Sequence, residues 1–254
     1  MLTQNKIKYI RSLDIKKNRQ QNGCFIVEGE KMVVELIESN FKIVELFALP
    51  DFISQNIEKI KNRCPFDEIT ERELKKISSL KTPNQVVAIA EIPKYIIEQS
   101  LFTSLNIALD NIQDPGNLGT IIRTANWFGV KNIFCSHNTV DTFNPKVIQA
   151  TMGAIFRTNI VYCDLTEVIE KTKNSNLQVY GALLDGENIY SSKLNNSGLI
   201  VLGNESKGIS EPIQKLIDIK IRIPNFPIDS TAMESLNVGI ANAVILAEFR
   251  RQAK

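Results

Sequence analysis

The chain has 254 residues, 43% apolar and 23% charged, a globular composition with room for one large domain or two small ones. Thirty basic against 28 acidic residues leave a net charge of +2, so any surface for nucleic acid must be local and not a property of the whole molecule. No apolar run approaches a bilayer span, and Cys24, Cys64, Cys135 and Cys163 are scattered without a CxxC pair, so a soluble, cytoplasmic protein with no disulfide framework, no metal and no membrane partner is expected.

The first 19 residues carry Lys6, Lys8, Arg11, Lys16, Lys17 and Arg19 against Asp14 alone. This is either a phosphate-facing patch or a solvated helix face, and charge alone does not separate the two. FIVEG at 25–29, EKMVVELIES at 30–39 and KIVELFALP at 42–50 then alternate as strand, helix and strand. Thr70 and Glu73 form a capping-box pattern ahead of ERELKKISSL, and QVVAIAEI at 85–92 reads as a strand ended by Pro93. The pattern loosens over 93–104, which places a boundary between a compact α/β unit, 1–98, and a second domain, 99–254. Strands are expected there at 106–110, 130–135, 178–184, 199–202 and 218–223 with helical patterns between most of them, so this half is an α/β domain with a largely parallel sheet covered on both faces.

Three segments of the second half leave a strand through a loop and enter a helix, the place where open α/β sheets bind ligands. In NIALDNIQDPGNLGTIIRTANWFGV, 106–130, a helix is expected from near Asn117 to Gly129, with Gly119, Arg123 and Trp127 at spacing four. A glycine one turn before Arg123 leaves room for a ligand at the guanidinium; a surface arginine in an i,i+4 stack explains the same spacing. In GLIVLGNESKGISEPIQKLI, 198–217, Glu205 sits in a turn between Gly203 and Gly208, and Ser210 is placed to cap the next helix. In the third, a strand ends at Ile223, a loop holds Pro224 and Pro227, and Ser235 is the expected N-cap of a helix apolar nearly all round from Leu236 to Phe249.

N-x-G-x-x-x-R at 117–123, L-G-N-E at 202–205 and S-L-N-V at 235–238 occur in one order. Together they resemble the three motifs of the SpoU family of SPOUT methyltransferases, over about residues 100 to 252. The first half, particularly FIVEGEKMVVEL, resembles the RNA-binding domain often fused to such enzymes, an α/β fold shared with some ribosomal proteins. The resemblance implies a mostly parallel sheet with a C-terminal trefoil knot, and S-adenosylmethionine as cofactor in a pocket lined by Gly203, Ile223 and Leu236. It further implies a catalytic and RNA-facing set of Asn117, Arg123, Glu205, Ser235 and Asn237, and a homodimer, which suits the apolar last helix. Ser206 and Lys207 depart from the glycine and arginine that many relatives carry after the Asn-Glu pair, and the stretch 224–235 is longer than in many.

The implied reaction is methyl transfer to a ribose 2′-hydroxyl of structured RNA, ribosomal rather than transfer RNA by analogy of the first domain. The alternative is a non-catalytic RNA-binding or ribosome-assembly factor on the same fold. His137 lies outside all three motifs, so no histidine-based scheme is attractive. Arg123 is the family's proposed proton acceptor, yet a guanidinium is too basic to be found deprotonated, which leaves orientation and charge stabilisation as its other role.

Overall fold

The computed structural model describes residues 1–226 and 235–253. In chain order the elements are α1 (Gln4–Ser12), α2 (Lys16–Asn22), β1 (Cys24–Glu28), α3 (Glu30–Ile37), β2 (Ile43–Ala48), α4 (Pro50–Ile60), β3 (Phe66–Glu68), α5 (Glu71–Ile77) and β4 (Val86–Glu91). There follow β5 (Leu105–Asp110), α6 (Pro115–Trp127), β6 (Asn132–Cys135), α7 (Pro145–Thr151), β7 (Asn159–Tyr162) and α8 (Leu165–Asn174). The last are β8 (Val179–Asn188), β9 (Gly198–Gly203), α9 (Glu211–Gln214), β10 (Ile219–Arg222) and α10 (Val238–Gln252). They form two compact units, Met1–Lys94 with Asp141–Arg157, and Tyr95–Val140 with Thr158–Lys254.

The first unit holds a four-stranded sheet in the order β1-β4-β2-β3, with β4 antiparallel to both neighbours. Its core includes Ile10, Leu13, Ile26, Phe47, Leu74 and Ile89. The segment Asp141–Arg157, which the sequence reading assigns to the second half, packs within this unit. The reason is local chemistry: Phe143 packs on Phe25 with ring centroids 4.5 Å apart and planes tilted by 42°, Gln149 Nε2 donates to the Glu28 carbonyl, and Asp141 accepts from Arg19. Arg19 is therefore not part of any outward basic patch. It is 2% exposed, pairs with Asp141 at 2.5 Å and donates to the carbonyls of Leu13 and Asp14, which satisfies a charge that could not otherwise be buried.

The second unit is a six-stranded sheet, β10-β8-β9-β5-β6-β7, parallel throughout. β5 and β6 are buried along their whole length, as expected of strands covered on both faces. The edge strand β7, only four residues long, has no counterpart among the expected strands. At the centre β5 pairs with β9 in register from Leu105↔Gly198 to Asp110↔Gly203, so the loops leaving these strands emerge side by side. A core of Phe102, Phe134, Val179, Leu199, Val201 and Ile213 surrounds this pair. Among the described residues no helix is long and apolar enough to cross a membrane.

The capping box of α5 forms as expected, and Glu73 does more than cap. Its carboxylate accepts from Thr70 N at 3.0 Å, from Leu2 N at 2.7 Å and from the Thr70 hydroxyl at 2.9 Å, tying the N-terminal residues to α5. The two backbone amides, Thr70 first, lower its pKa from an ordinary 4.5 to about 2. A carboxylate more acidic in the folded state contributes stability that is complete above the unfolded value and is lost as pH falls through the folded one. Glu73→Gln should therefore melt below the wild type at pH 7, with the difference shrinking as pH falls from 4.5 toward 2. A gap that is constant over that range in thermal melts would show that the charge is not the stabilising feature.

Candidate active site

The site is built on the ends of β5 and β9. Asp110, buried at the end of β5, accepts from Ser210 N at 2.7 Å, and Asn204 Nδ2 donates to the Asn111 carbonyl at 2.8 Å. Two cross-links thus tie the loop after β9 to the loop after β5. The β9 loop also closes on itself: Asn204 and Gly208 exchange both backbone hydrogen bonds, and Asn204 Oδ1 accepts from Ser206 N and Lys207 N. A Cβ on Gly203 would lie 2.2 Å from the Gly208 carbonyl carbon and the Ile209 nitrogen, so only glycine allows this turn.

α6 starts two residues earlier than the sequence suggests. Asp114 is its N-cap, accepting from Asn117 N at 2.7 Å, and Pro115 takes the first helical position, where a missing N–H costs nothing. The N-cap of α10 differs as well. Ser235 and Leu236 precede the helix, and Asn237 caps it, its Oδ1 accepting from Gly239 N at 2.9 Å and Ile240 N at 3.3 Å. Ser210 flanks a helix of only four residues and makes no side-chain cap; its amide is engaged by Asp110 instead.

Three of the five residues expected to carry the chemistry meet in one chain of hydrogen bonds. Asn237 Nδ2 donates to Asn117 Oδ1 at 2.9 Å, and Asn117 Nδ2 donates to Glu205 Oε1 at 2.8 Å. The direction of this chain follows from its ends. The helix amides of α10 require the oxygen of Asn237, which turns its NH2 to Asn117, and that in turn aims the Asn117 NH2 at Glu205, whose carboxylate only accepts. Each member comes from a different motif: Asn117 from the first turn of α6, Glu205 from the loop after β9 and Asn237 from the N-cap of α10. Glu205 is half-buried, and among the described residues its Oε2 has no partner.

The other expected residues are placed differently. Ser235 is exposed and joins none of these hydrogen bonds. Arg123 is exposed on α6, with no hydrogen bond or ion pair among the described residues, on the same stripe as Trp127, which is 84% exposed. Gly119, expected to open space beside Arg123, is buried. Gly203 ends β9, Ile223 follows β10 half-buried, and Leu236 before α10 is 49% exposed. Residues 227–234, most of the long third loop, lie outside the described residues. Asp110 and Asn204 were not anticipated as site residues. A polar residue ending an otherwise apolar strand, as in NIALD and LIVLGN, is the signal that marks both.

A model of the SpoU rRNA Methylase family matches residues 104–247. The chain belongs to this family. Residues 4–88 match the MRM3-like substrate binding domain. Over 96% of both chains it is 29% identical to the 23S rRNA (guanosine(2553)-2′-O)-methyltransferase RlmP of Bacillus subtilis. Among solved structures, a putative RNA methyltransferase of the TrmH family from Porphyromonas gingivalis superposes over 100% of both chains with a TM-score of 0.87 at 33% identity. An AdoMet-bound rRNA methyltransferase from Sinorhizobium meliloti matches 99% of this chain and 96% of its own, with a TM-score of 0.86 at 29% identity. The chain is thus an RNA methyltransferase that uses S-adenosylmethionine, as its three motifs lead one to expect.

The residues present fit that cofactor. The turn after Gly203 is drawn in so closely that a Cβ there would strike the Gly208 backbone, and Ile223, half-buried, and Leu236, 49% exposed, leave apolar surface that a cofactor could cover. Asn117 is the one residue that touches both other members of the hydrogen-bond chain. Replacing it by Ala should lower methyl transfer by about tenfold or more with little change in melting temperature, and Asn117→Asp, which sets a second carboxylate against Glu205, should cost more. Wild-type turnover in either variant would remove the chain from the mechanism.

Proposed function

We propose that this protein transfers a methyl group from S-adenosylmethionine to a ribose 2′-hydroxyl of ribosomal RNA, in the cytoplasm and as a homodimer. The observation that carries the reading is the hydrogen-bond chain Asn237, Asn117, Glu205, which draws all three motif loops to one place. The relative from Bacillus subtilis, named for 2′-O-methylation of a 23S rRNA guanosine, supports ribosomal RNA over transfer RNA.

In this reading residues 1–98 bind RNA, joined by Asp141–Arg157, and the rest of 99–254 carries the chemistry. Gly203, Ile223 and Leu236 hold the cofactor, which when bound supplies an activated methyl group. The protein's own task is to hold the hydroxyl in line and manage its proton. Glu205 Oε2 accepts a hydrogen bond from the ribose while Asn117 fixes Oε1. The Arg123 guanidinium clamps the adjacent phosphate and stabilises negative charge developing on the 2′-oxygen. Ser235 faces RNA from the third loop. A second copy covers the Trp127 stripe and Ile240, which is 52% exposed on α10, and so brings Arg123 of one subunit toward the site of the other. The knot expected from the family suits a chain that leaves the sheet at its edge strand β10 and returns to pack α10 on α6.

Radiolabelled methyl transfer to ribosomal RNA followed by nuclease digestion tests the reading directly. A 2′-O-methylated nucleoside is the expected product, and a transcript with a deoxyribose at the target should be inert. Arg123→Ala should lose about a hundredfold or more in turnover while calorimetry shows unchanged cofactor binding. A methylated base, or an active Arg123→Ala variant, overturns the assignment. For the outward basic face, Lys8, Lys16 and Lys17 are exposed, whereas Lys6 pairs with Glu45 at 2.5 Å and Arg11 donates to the Ser78 carbonyl. Exchanging Lys8, Lys16 and Lys17 for Glu together should weaken RNA binding and flatten its salt dependence without affecting cofactor affinity; an unchanged salt slope would locate the RNA elsewhere.

A further inference from the structure

We propose that Asn242, in the middle of α10 and outside all three motifs, is a positioning residue for methyl transfer. Its hydrogen bond to Thr124 holds α10 in the one register on α6 that aligns Asn237 with Asn117. The inference rests on the methyltransferase reading above and deepens it.

Asn242 is 0% exposed, and its Nδ2 donates to Thr124 Oγ1 at 2.6 Å. The single proton of the Thr124 hydroxyl is directed inward, shared between the carbonyls of Thr120 and Ile121 at 2.9 and 3.0 Å, so its oxygen is left as an acceptor and the amide presents NH2 to it. The remaining polar atom, Asn242 Oδ1, is buried with no partner among the described residues. An amide half-satisfied in a closed helix interface costs free energy that an apolar side chain of the same size would not. What the amide adds is direction. Apolar burial is non-directional, while a hydrogen bond to a single hydroxyl does not survive a slip of one residue, about 1.5 Å along the axis.

The geometry makes such a slip costly to the site. Asn117, Thr120 and Thr124 lie at i, i+3 and i+7 on α6, one face of the helix. α10 meets that face with Asn237 on Asn117, Gly239 against Thr120 and Asn242 on Thr124. A Cβ on Gly239 would stand 3.0 Å from Thr120 Cγ2, so the glycine sets how near the helices come. Asn242 then sets how far along they lie at the site end, while Arg250 Nε, donating to the Phe128 carbonyl at 2.7 Å, holds the far end of the pair. A shift of one residue would carry the 2.9 Å bond between Asn237 and Asn117 out of range.

Asn242→Ala should lower kcat by about tenfold or more, as misplacement near 1 Å does at a reacting centre, with the KM for S-adenosylmethionine changed less than about twofold. Thr124→Val removes the same bond and should reproduce the loss, whereas Thr124→Ser retains the hydroxyl and should behave as wild type; this pair carries the test if Asn242→Ala fails to fold. In an Asn237→Ala background, Asn242→Ala should reduce kcat no further, because it acts through that residue. The side-chain amide NMR signals of Asn117 and Asn237 should move in Asn242→Ala and Thr124→Val but not in Thr124→Ser. An unchanged kcat per folded molecule with only a lower Tm, multiplying effects with Asn237→Ala, or unmoved amide signals would each overturn the proposal. If the wild type methylates no RNA, the functional reading fails, while the NMR shifts still decide the positioning role.

Discussion

The in-register parallel pairing of β5 with β9 underlies the rest of the catalytic unit. Parallel strands exit at the same end of a sheet, and adjacency brings their exits within about 5 Å of each other. Asp110 stands beside Gly203 for that reason, and the loops that follow can be cross-linked by single hydrogen bonds from Ser210 N to Asp110 and from Asn204 to the Asn111 carbonyl. Two segments almost a hundred residues apart in the chain act as one surface. The cost of closing so long a loop is met by the buried core of β5, β6 and β9 and not by the site itself.

The third loop reaches the site by another route. β10 lies at the sheet edge with β8 between it and β9, so strand order alone would leave its exit remote from the other two. The packing of α10 on α6 corrects this. Gly239 admits the close approach, and Asn237 then serves two demands with one carboxamide, its oxygen on the α10 amides and its NH2 on Asn117. Helix capping and site assembly are thus the same interaction, and orientation passes from the N-terminus of α10 to the Glu205 carboxylate.

The first unit shows how charge counting misleads when burial is unknown. Of the six cations near the N-terminus, Arg19 is spent inside the fold, where Asp141 and two carbonyls solvate it, and Lys6 is tied to Glu45. An arginine in KKNRQQN looks no different in the sequence from the two lysines beside it, because its partner is 122 residues away.

Legible in the residues alone were the alternation of elements, the capping box at Thr70 and Glu73, the three motif segments at strand ends and, through their order, the family. These depend on hydrophobic period, local hydrogen bonding and fixed spacing, all of which act within a few residues. The N-cap of α10 shows the limit of that reach, since Ser235 and Asn237 are both good caps by type and only packing against Asn117 and Thr120 selects the second. Tertiary structure alone decided the adjacency of β5 and β9, the transfer of Asp141–Arg157 to the first unit and the hydrogen-bond chain through Asn117, because each needs partners that meet only when the core closes.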